Sequence, residues 1–219
     1  MMISVINQKG GVGKSTLAVH LAVWCHERGK RVGFIDADGQ ASAARWLRAV
    51  EPTVQIATGA DARTVLAEIR ELRRHTDILI ADGPANLSEC SRALLLETTL
   101  AVIPCGGTLP ELESTADTVR LLSAARKARK GLAPAGCIAL TRLRSDRYLL
   151  SKDARRAAES FELPVCRTVV KLREATADAP GQRTVVWRMG TRAREAAQEM
   201  STLIEELHRH AARTKKHAR

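Results

Sequence analysis

Residues 7–16 read "NQKGGVGKST", and they carry two lysines where a phosphate-binding loop needs one. The general form of such a loop is Gly, four residues, then Gly-Lys followed by Ser or Thr. Gly13, Lys14 and Ser15 supply its end, but Gln8 stands at the opening glycine position, with Lys9 directly after it. The flanks set the context. Met2–Ile6 (MISVI) is short, apolar and β-branched, as a buried strand is. Ser15–Arg28 places Leu17, Leu21 and Trp24 along one helical face and stops at Gly29. Strand, glycine loop and helix in that order open an α/β fold.

The pattern repeats along the chain. Arg31–Ile35 is a second strand running into Asp36-Ala37-Asp38, and Ser42–Val50 reads as a helix. Val54–Ala57 is a weak strand and Asp61–Arg74 a charged amphipathic helix. Asp77–Ala81 (DILIA) and Thr99–Pro104 (TLAVIP) are continuous apolar strands. A long helix over Glu111–Lys130, a strand at Ala135–Leu140, a helix around Leu149–Phe161, a short strand at Pro164–Cys166 and a last helix from Thr191 to about His208 follow. Strands that are apolar throughout, alternating with helices, predict a mostly parallel twisted sheet covered on both faces. The whole chain, 1–219, reads as one domain with a basic tail from about residue 208.

Composition agrees. A chain of 219 residues, 45% hydrophobic and 27% charged, is an ordinary globular one, and with 3% aromatics its core must be aliphatic. The apolar runs fall far short of the roughly 20 residues of a membrane span, and the start lacks the basic region of a signal peptide. The five cysteines, Cys25, Cys90, Cys105, Cys137 and Cys166, have no paired spacing. They read as buried free thiols of a reducing cytoplasm rather than a zinc or disulfide framework. A net charge of +11 predicts attraction to polyanions.

Ligands of an open parallel sheet bind at the carboxyl ends of its strands. Three chemically loaded stretches end strands here: the loop Lys9–Thr16, the pair Asp36 and Asp38, and Asp82 after DILIA. Gly10, Gly11 and Gly13, with Val12 between them, let backbone N–H groups turn onto phosphate oxygens. The helix start adds its partial positive charge. Lys14 reaches the terminal phosphates, the Ser15 hydroxyl ligates Mg²⁺ with Thr16 beside it, and Asp82 holds a magnesium water. Both ATP and Mg²⁺ are therefore expected.

The opening motif resembles the deviant phosphate loop of the ParA/MinD group of ATPases. "DADGQ" (Asp36–Gln40) is similar to their switch motif, "ILIADGP" (Ile78–Pro84) to their magnesium-aspartate strand, and "LAVIPC" (Leu100–Cys105) and Glu162–Val186 extend the likeness. It implies a single-domain P-loop NTPase fold and a role for the early lysine: Lys9 reaches across a homodimer interface to the partner's ATP. It also implies that Asp38 orients the attacking water while Asp36 lies nearer the magnesium, a division the spacing leaves open. Departures are Gly39 where the family has Pro, Gly83-Pro84-Ala85 after the magnesium aspartate, and Thr141 in place of Asn.

The short plasmid-type ParA proteins are the nearest in form, because no helix-turn-helix domain precedes Met2. They bind double-stranded DNA without sequence preference as ATP dimers and are released by a ParB-like adaptor, which implies a cytoplasmic, nucleoid-associated protein. Basic residues crowd Arg120–Arg156, opposed only by Asp146 and Asp153, and Arg144, Arg147, Arg188 and Arg192 are the candidate DNA contacts. Scarce aromatics argue against stacking on single strands. A MinD-like membrane-surface regulator is the alternative, but "LHRHAARTKKHAR" lacks an apolar face, so no membrane insertion is expected. A third reading, an ATP-dependent ligase of the dethiobiotin-synthetase type, would have no use for Lys9.

Overall fold

The computed structural model describes residues 1–86, 88–130, 134–144 and 149–217. Seven strands, β1 (Met2–Val5), β2 (Val32–Asp36), β3 (Gln55–Thr58), β4 (Ile78–Asp82), β5 (Leu100–Cys105), β6 (Ala135–Leu143) and β7 (Val170–Lys171), form one sheet in the order β3-β2-β4-β1-β5-β6-β7. Every pairing is parallel. The register matters for the site. Val5 pairs with Asp82, and Asp36 pairs with the same Asp82, so the phosphate loop and both acidic strand ends emerge at one level.

Successive side chains of each strand go to opposite faces, and both faces are apolar. Ile3, Val5, Ile80 and Val102 pack under α1 (Lys14–Glu27), α2 (Ser42–Val50) and α8 (Arg194–His217). On the other face Ile35, Leu79 and Ala81 meet Val65 and Ile69 of α3 (Ala62–His75) and Leu94 of α4 (Glu89–Glu97). Ala101, Ile103 and Ile138 meet Leu122 of α5 (Leu109–Ala128) and Ala158 of α6 (Leu149–Glu159). The helix α1 is buried nearly all round, from Leu17 to Cys25, as a helix sandwiched between a sheet and two neighbours must be. A five-residue helix, α7 (Glu174–Asp178), completes the set.

Helix starts follow local chemistry. Asp61 caps α3 by accepting the Thr64 N–H at 2.9 Å. Thr108 and Glu111 form a capping box at α5, with Pro110 in its first turn.

Besides α7, three elements differ from the sequence expectation. Helix α4 was not expected, though Ser88 is its N-cap. Pro164–Cys166 makes only an isolated bridge, Val165 to Ile138. The edge strand β7 forms four residues later, across a bulge in β6 between Thr141 and Leu143. Finally, the basic stretch from His208 is no tail, because α8 continues to His217 and buries Leu207 and Ala211. All five cysteines are free and buried.

His20 of α1 ties three elements together. Its Nδ1 donates to the Thr16 carbonyl at 2.7 Å and its Nε2 accepts from the Val186 N–H at 3.2 Å. The rings of Trp46 and Trp187 lie 5.4 Å away on either side. That arrangement needs the neutral ring, and burial pushes its pKa down to about 4, against the opposing pull of the Thr16 carbonyl. An unfolded histidine, near 6.5, binds the proton first. Stability from His20 is therefore present above pH 6.5 and lost as pH falls towards 4, by about 3 kcal/mol. Urea unfolding of wild type and His20→Gln at pH 7.5 and 4.5 should show this as a difference that shrinks at the lower pH. A constant difference would remove His20 from the account.

Candidate nucleotide-binding site

The loop after β1 is held from below before it meets any ligand. Asn7 is fully buried. Its Nδ2 donates to the Pro104 carbonyl at 2.7 Å and to Thr115 Oγ1 at 3.2 Å, and its Oδ1 accepts from Ser114 and from the Lys9 N–H. Gln8 donates to Asp117 at 2.5 Å. The first turns of α5 thus fix Asn7–Lys9. Gly11 and Gly13 sit at φ +78° and +94°, where a side chain would be strained. Gly13 ends the loop as the N-cap of α1, so N–H groups at the helix start face the site.

A clasp closes the loop from the other side. Thr141 Oγ1 donates to the Val12 carbonyl at 2.8 Å, and Arg142 donates to the Gly11 carbonyl. Arg142 is the bulged residue of β6, at φ +58°, and the bulge turns its guanidinium over the loop. Nothing in the sequence pattern around Arg142 signals this.

Lys14 is 7% exposed, and its ammonium bonds the Lys9 carbonyl at 2.9 Å. Burial lowers its pKa, while Asp82 and Asp38 pull it back up. Lys9 is exposed and forms no ion pair among the described residues. Lys14 is therefore turned into its own loop, and the Lys9 side chain points away from it, exposed.

The carboxylates divide their work. Asp36 is fully buried, with Oδ1 accepting the Asp38 N–H at 3.0 Å and Oδ2 the Ala44 N–H at 2.9 Å. It fixes the switch turn and the start of α2, although burial raises its pKa. Asp38 is half-buried; its Oδ1 accepts the Gln40 N–H at 3.0 Å. Asp82 is 1% exposed, and its Oδ1 is buried with no partner. Burial pushes its pKa up to about 7, against a hydrogen bond from Ser15 and the nearby Lys14. A buried carboxylate oxygen without a donor among the described residues, beside the Ser15 hydroxyl, fits a hydrated divalent cation.

A cavity of about 300 Å³ opens from the loop, lined by Gly13, Lys14, Thr16, Arg142, Leu172 and Thr176 among others. The Thr176 hydroxyl is buried there and has no hydrogen-bond partner among the described residues. The sequence did not single out Leu172 or Thr176, since they belong to the unexpected β7–α7 region.

The candidate DNA contacts are scattered. Arg144 is exposed just beyond β6, and Arg147 lies outside the described residues. Arg192 is exposed and bonds Gln182 at 2.5 Å. Arg188 pairs with Glu27 at 2.7 Å and with Glu51, so its charge is compensated inside the fold. Several residues of the basic stretch are likewise engaged: Arg126 with the Pro134 carbonyl, Arg129 with that of Thr98, and Arg155 with those of Cys166 and Arg167.

Comparison with known proteins agrees with this geometry. The family described as the CobQ/CobB/MinD/ParA nucleotide binding domain matches residues 3–186. The maintenance of carboxysome distribution protein A of Halothiobacillus neapolitanus is 26% identical over 94% of this chain and 95% of its own. The chromosome-partitioning ATPase Soj of Thermus thermophilus is 30% identical over 60% of this chain and 64% of its own. The solved structure of a Cyanothece McdA in complex with ATP superposes with a TM-score of 0.76 at 16% identity, covering 94% of this chain and 95% of that one. The chain belongs to the ParA/MinD-type family of nucleotide-binding ATPase domains.

Proposed function

We propose that this protein is a ParA-type ATPase that positions cargo on DNA. Mg-ATP binds between the phosphate loop and Thr176, and two subunits close face to face. The Lys9 of each then stabilises phosphate charge on the other's nucleotide, as an arginine finger does. Asp38 orients the attacking water, Lys14 and the loop N–H groups hold the phosphates, and Ser15 with Asp82 holds the Mg²⁺ and its water. Hydrolysis is slow alone and quickened by a ParB-like adaptor. The single observation that carries the reading is the pair of lysines: Lys14 turned inward and bonded, Lys9 exposed and without an acidic partner among the described residues.

The ATP dimer binds double-stranded DNA without sequence preference, through phosphate contacts. Arg144, Arg147 and Arg192 are carried into that proposed surface, and Arg188 is not, because Glu27 and Glu51 hold it. The cargo is a plasmid, a chromosome or a protein assembly, and full-length similarity to a carboxysome-distribution protein favours the last.

The test is DNA binding by wild type and Lys9→Ala with ATP, ADP and no nucleotide across a salt series. Binding with ATP alone, lost in the variant and weakening with salt, is the expected result. Equal binding in all three states would reduce the +11 charge to general stickiness. Pelleting with anionic liposomes checks the membrane alternative. Against it stands α8, whose apolar residues Leu203, Leu207 and Ala211 face the core and offer no stripe to a bilayer.

A further inference from the structure

Beside β6, a cluster of donor atoms stands apart from the residues that line the nucleotide cavity. A sulfur of Cys166, a carboxylate oxygen of Glu206 and a ring nitrogen of His210 all lie within 4.8 Å of one another. Glu206 and His210 are one turn apart on α8, so they share a face. Cys166 follows the isolated bridge to β6, and the thiol of Cys137, in β6, adjoins its own. Both cysteines are fully buried, while Glu206 and His210 are half-buried.

The carboxylate is already aimed. Its two oxygens accept the Arg167 and Thr168 N–H groups at 2.8 and 3.1 Å. Such outer bonds orient the ligands of metal sites, and each oxygen keeps a lone pair. An open groove of about 560 Å³, lined by Thr168, Glu206, Arg209 and His210, leads in from solvent. Arg167 and Arg209 beside it oppose a hard cation held only by oxygens. A soft ion that converts thiols to thiolates brings its own compensation.

We propose that Cys166, Glu206 and His210, with a water as fourth donor, form a tetrahedral site for a thiophilic divalent ion, zinc above all, that pins α8 to the segment bridged to β6. Zinc holds sulfur and nitrogen at about 2.0–2.3 Å, which sets tetrahedral donors about 3.5 Å apart. Closing the cluster from its present spread takes side-chain rotation of about 1 Å within those limits. The ligating thiol gives its proton to solvent, so affinity rises with pH. The consequence reaches the nucleotide, since Met200 and Leu203 of the same helix line the phosphate-side cavity.

The experiment uses the full chain, stripped with chelator, without nucleotide, and titrated with cobalt(II). One equivalent should produce strong visible bands of a tetrahedral ion together with thiolate charge-transfer absorption in the near ultraviolet, and zinc should bleach both. Cys166→Ala should abolish the charge-transfer band, and His210→Ala should weaken binding more than about tenfold. Cys90→Ser, at a buried thiol elsewhere, should change nothing. Because His210 is half-exposed, its variant keeps the test alive if Cys166→Ala misfolds. Absence of thiolate absorption, or absorption that survives His210→Ala unweakened, overturns the proposal.

Discussion

Replacing Lys9 with alanine is expected to cut adaptor-stimulated ATP hydrolysis by about 10³-fold or more, the scale of a charge supplied in trans. The same change should leave ADP affinity within a few-fold. Among the described residues Lys9 is tied to its own subunit by its backbone: its N–H donates to Asn7 and its carbonyl accepts from Lys14. Alanine keeps both bonds, so the loop retains its shape. Lys14→Ala differs, because it removes the buried ammonium proposed to hold the phosphates, and should abolish nucleotide binding itself. Steady-state hydrolysis with a titration of fluorescent ADP separates the two. A Lys9→Ala protein that hydrolyses ATP at the wild-type rate would sink the trans role.

Asp82→Asn is expected to change stability and activity in opposite directions. In the free protein a buried carboxylate oxygen lacks a partner, and burial has pushed its pKa up to about 7. Above that pH a buried charge only partly offset by Ser15 and Lys14 is held inside the fold, at a cost on the order of 2–4 kcal/mol. The neutral amide relieves it, so the ligand-free variant should melt higher than wild type at pH 8. The sign follows from the folded pKa lying above the unfolded value, so the penalty grows as pH rises from 4 to 7 and fades on acidification. With Mg-ADP the order should reverse, because the amide cannot hold the cation's water as a carboxylate does. Differential scanning fluorimetry at pH 8 and pH 5, with and without Mg-ADP, reads all four states. A variant melting below wild type without ligand would contradict the assignment of Asp82 as a carboxylate waiting for a cation.

The pH dependence of the two buried groups runs in opposite directions. Protonation of His20 weakens the fold as pH falls, whereas protonation of Asp82 strengthens it over much of the same range. The two contributions therefore oppose each other over that range, and single variants separate the two slopes.

How far the sequence could be read depended on whether a feature was local. Strands buried on both faces announce themselves as continuous apolar runs, and the glycines of the loop, the capping aspartate Asp61 and the acidic strand ends all lie within a few residues of what they act on. Helix α4 was missed because its run, Arg92–Leu96, was short and followed a turn of weak pattern, although Ser88 was a usable signal. The edge strand was misplaced because Pro164–Cys166 and Val170–Lys171 are both short. The β6–β7 pairing runs across a bulge at Arg142, which no local residue marks. The clasp of Thr141 and Arg142 on the loop joins residues 129 or more apart in sequence. The ion pairs that engage Arg188 span comparable distances to Glu27 and Glu51, so a tally of basic residues could not tell an arginine of the fold from one of the surface.

The central claim is that ATP joins two subunits through Lys9. Its most direct measurement is molar mass by light scattering with ATP or ADP, in an Asp38→Ala background that keeps ATP intact. Mass should double with ATP alone, and Lys9→Ala added to that background should return it to the monomer value. A monomer throughout, or a dimer indifferent to nucleotide and to Lys9, would contradict the account.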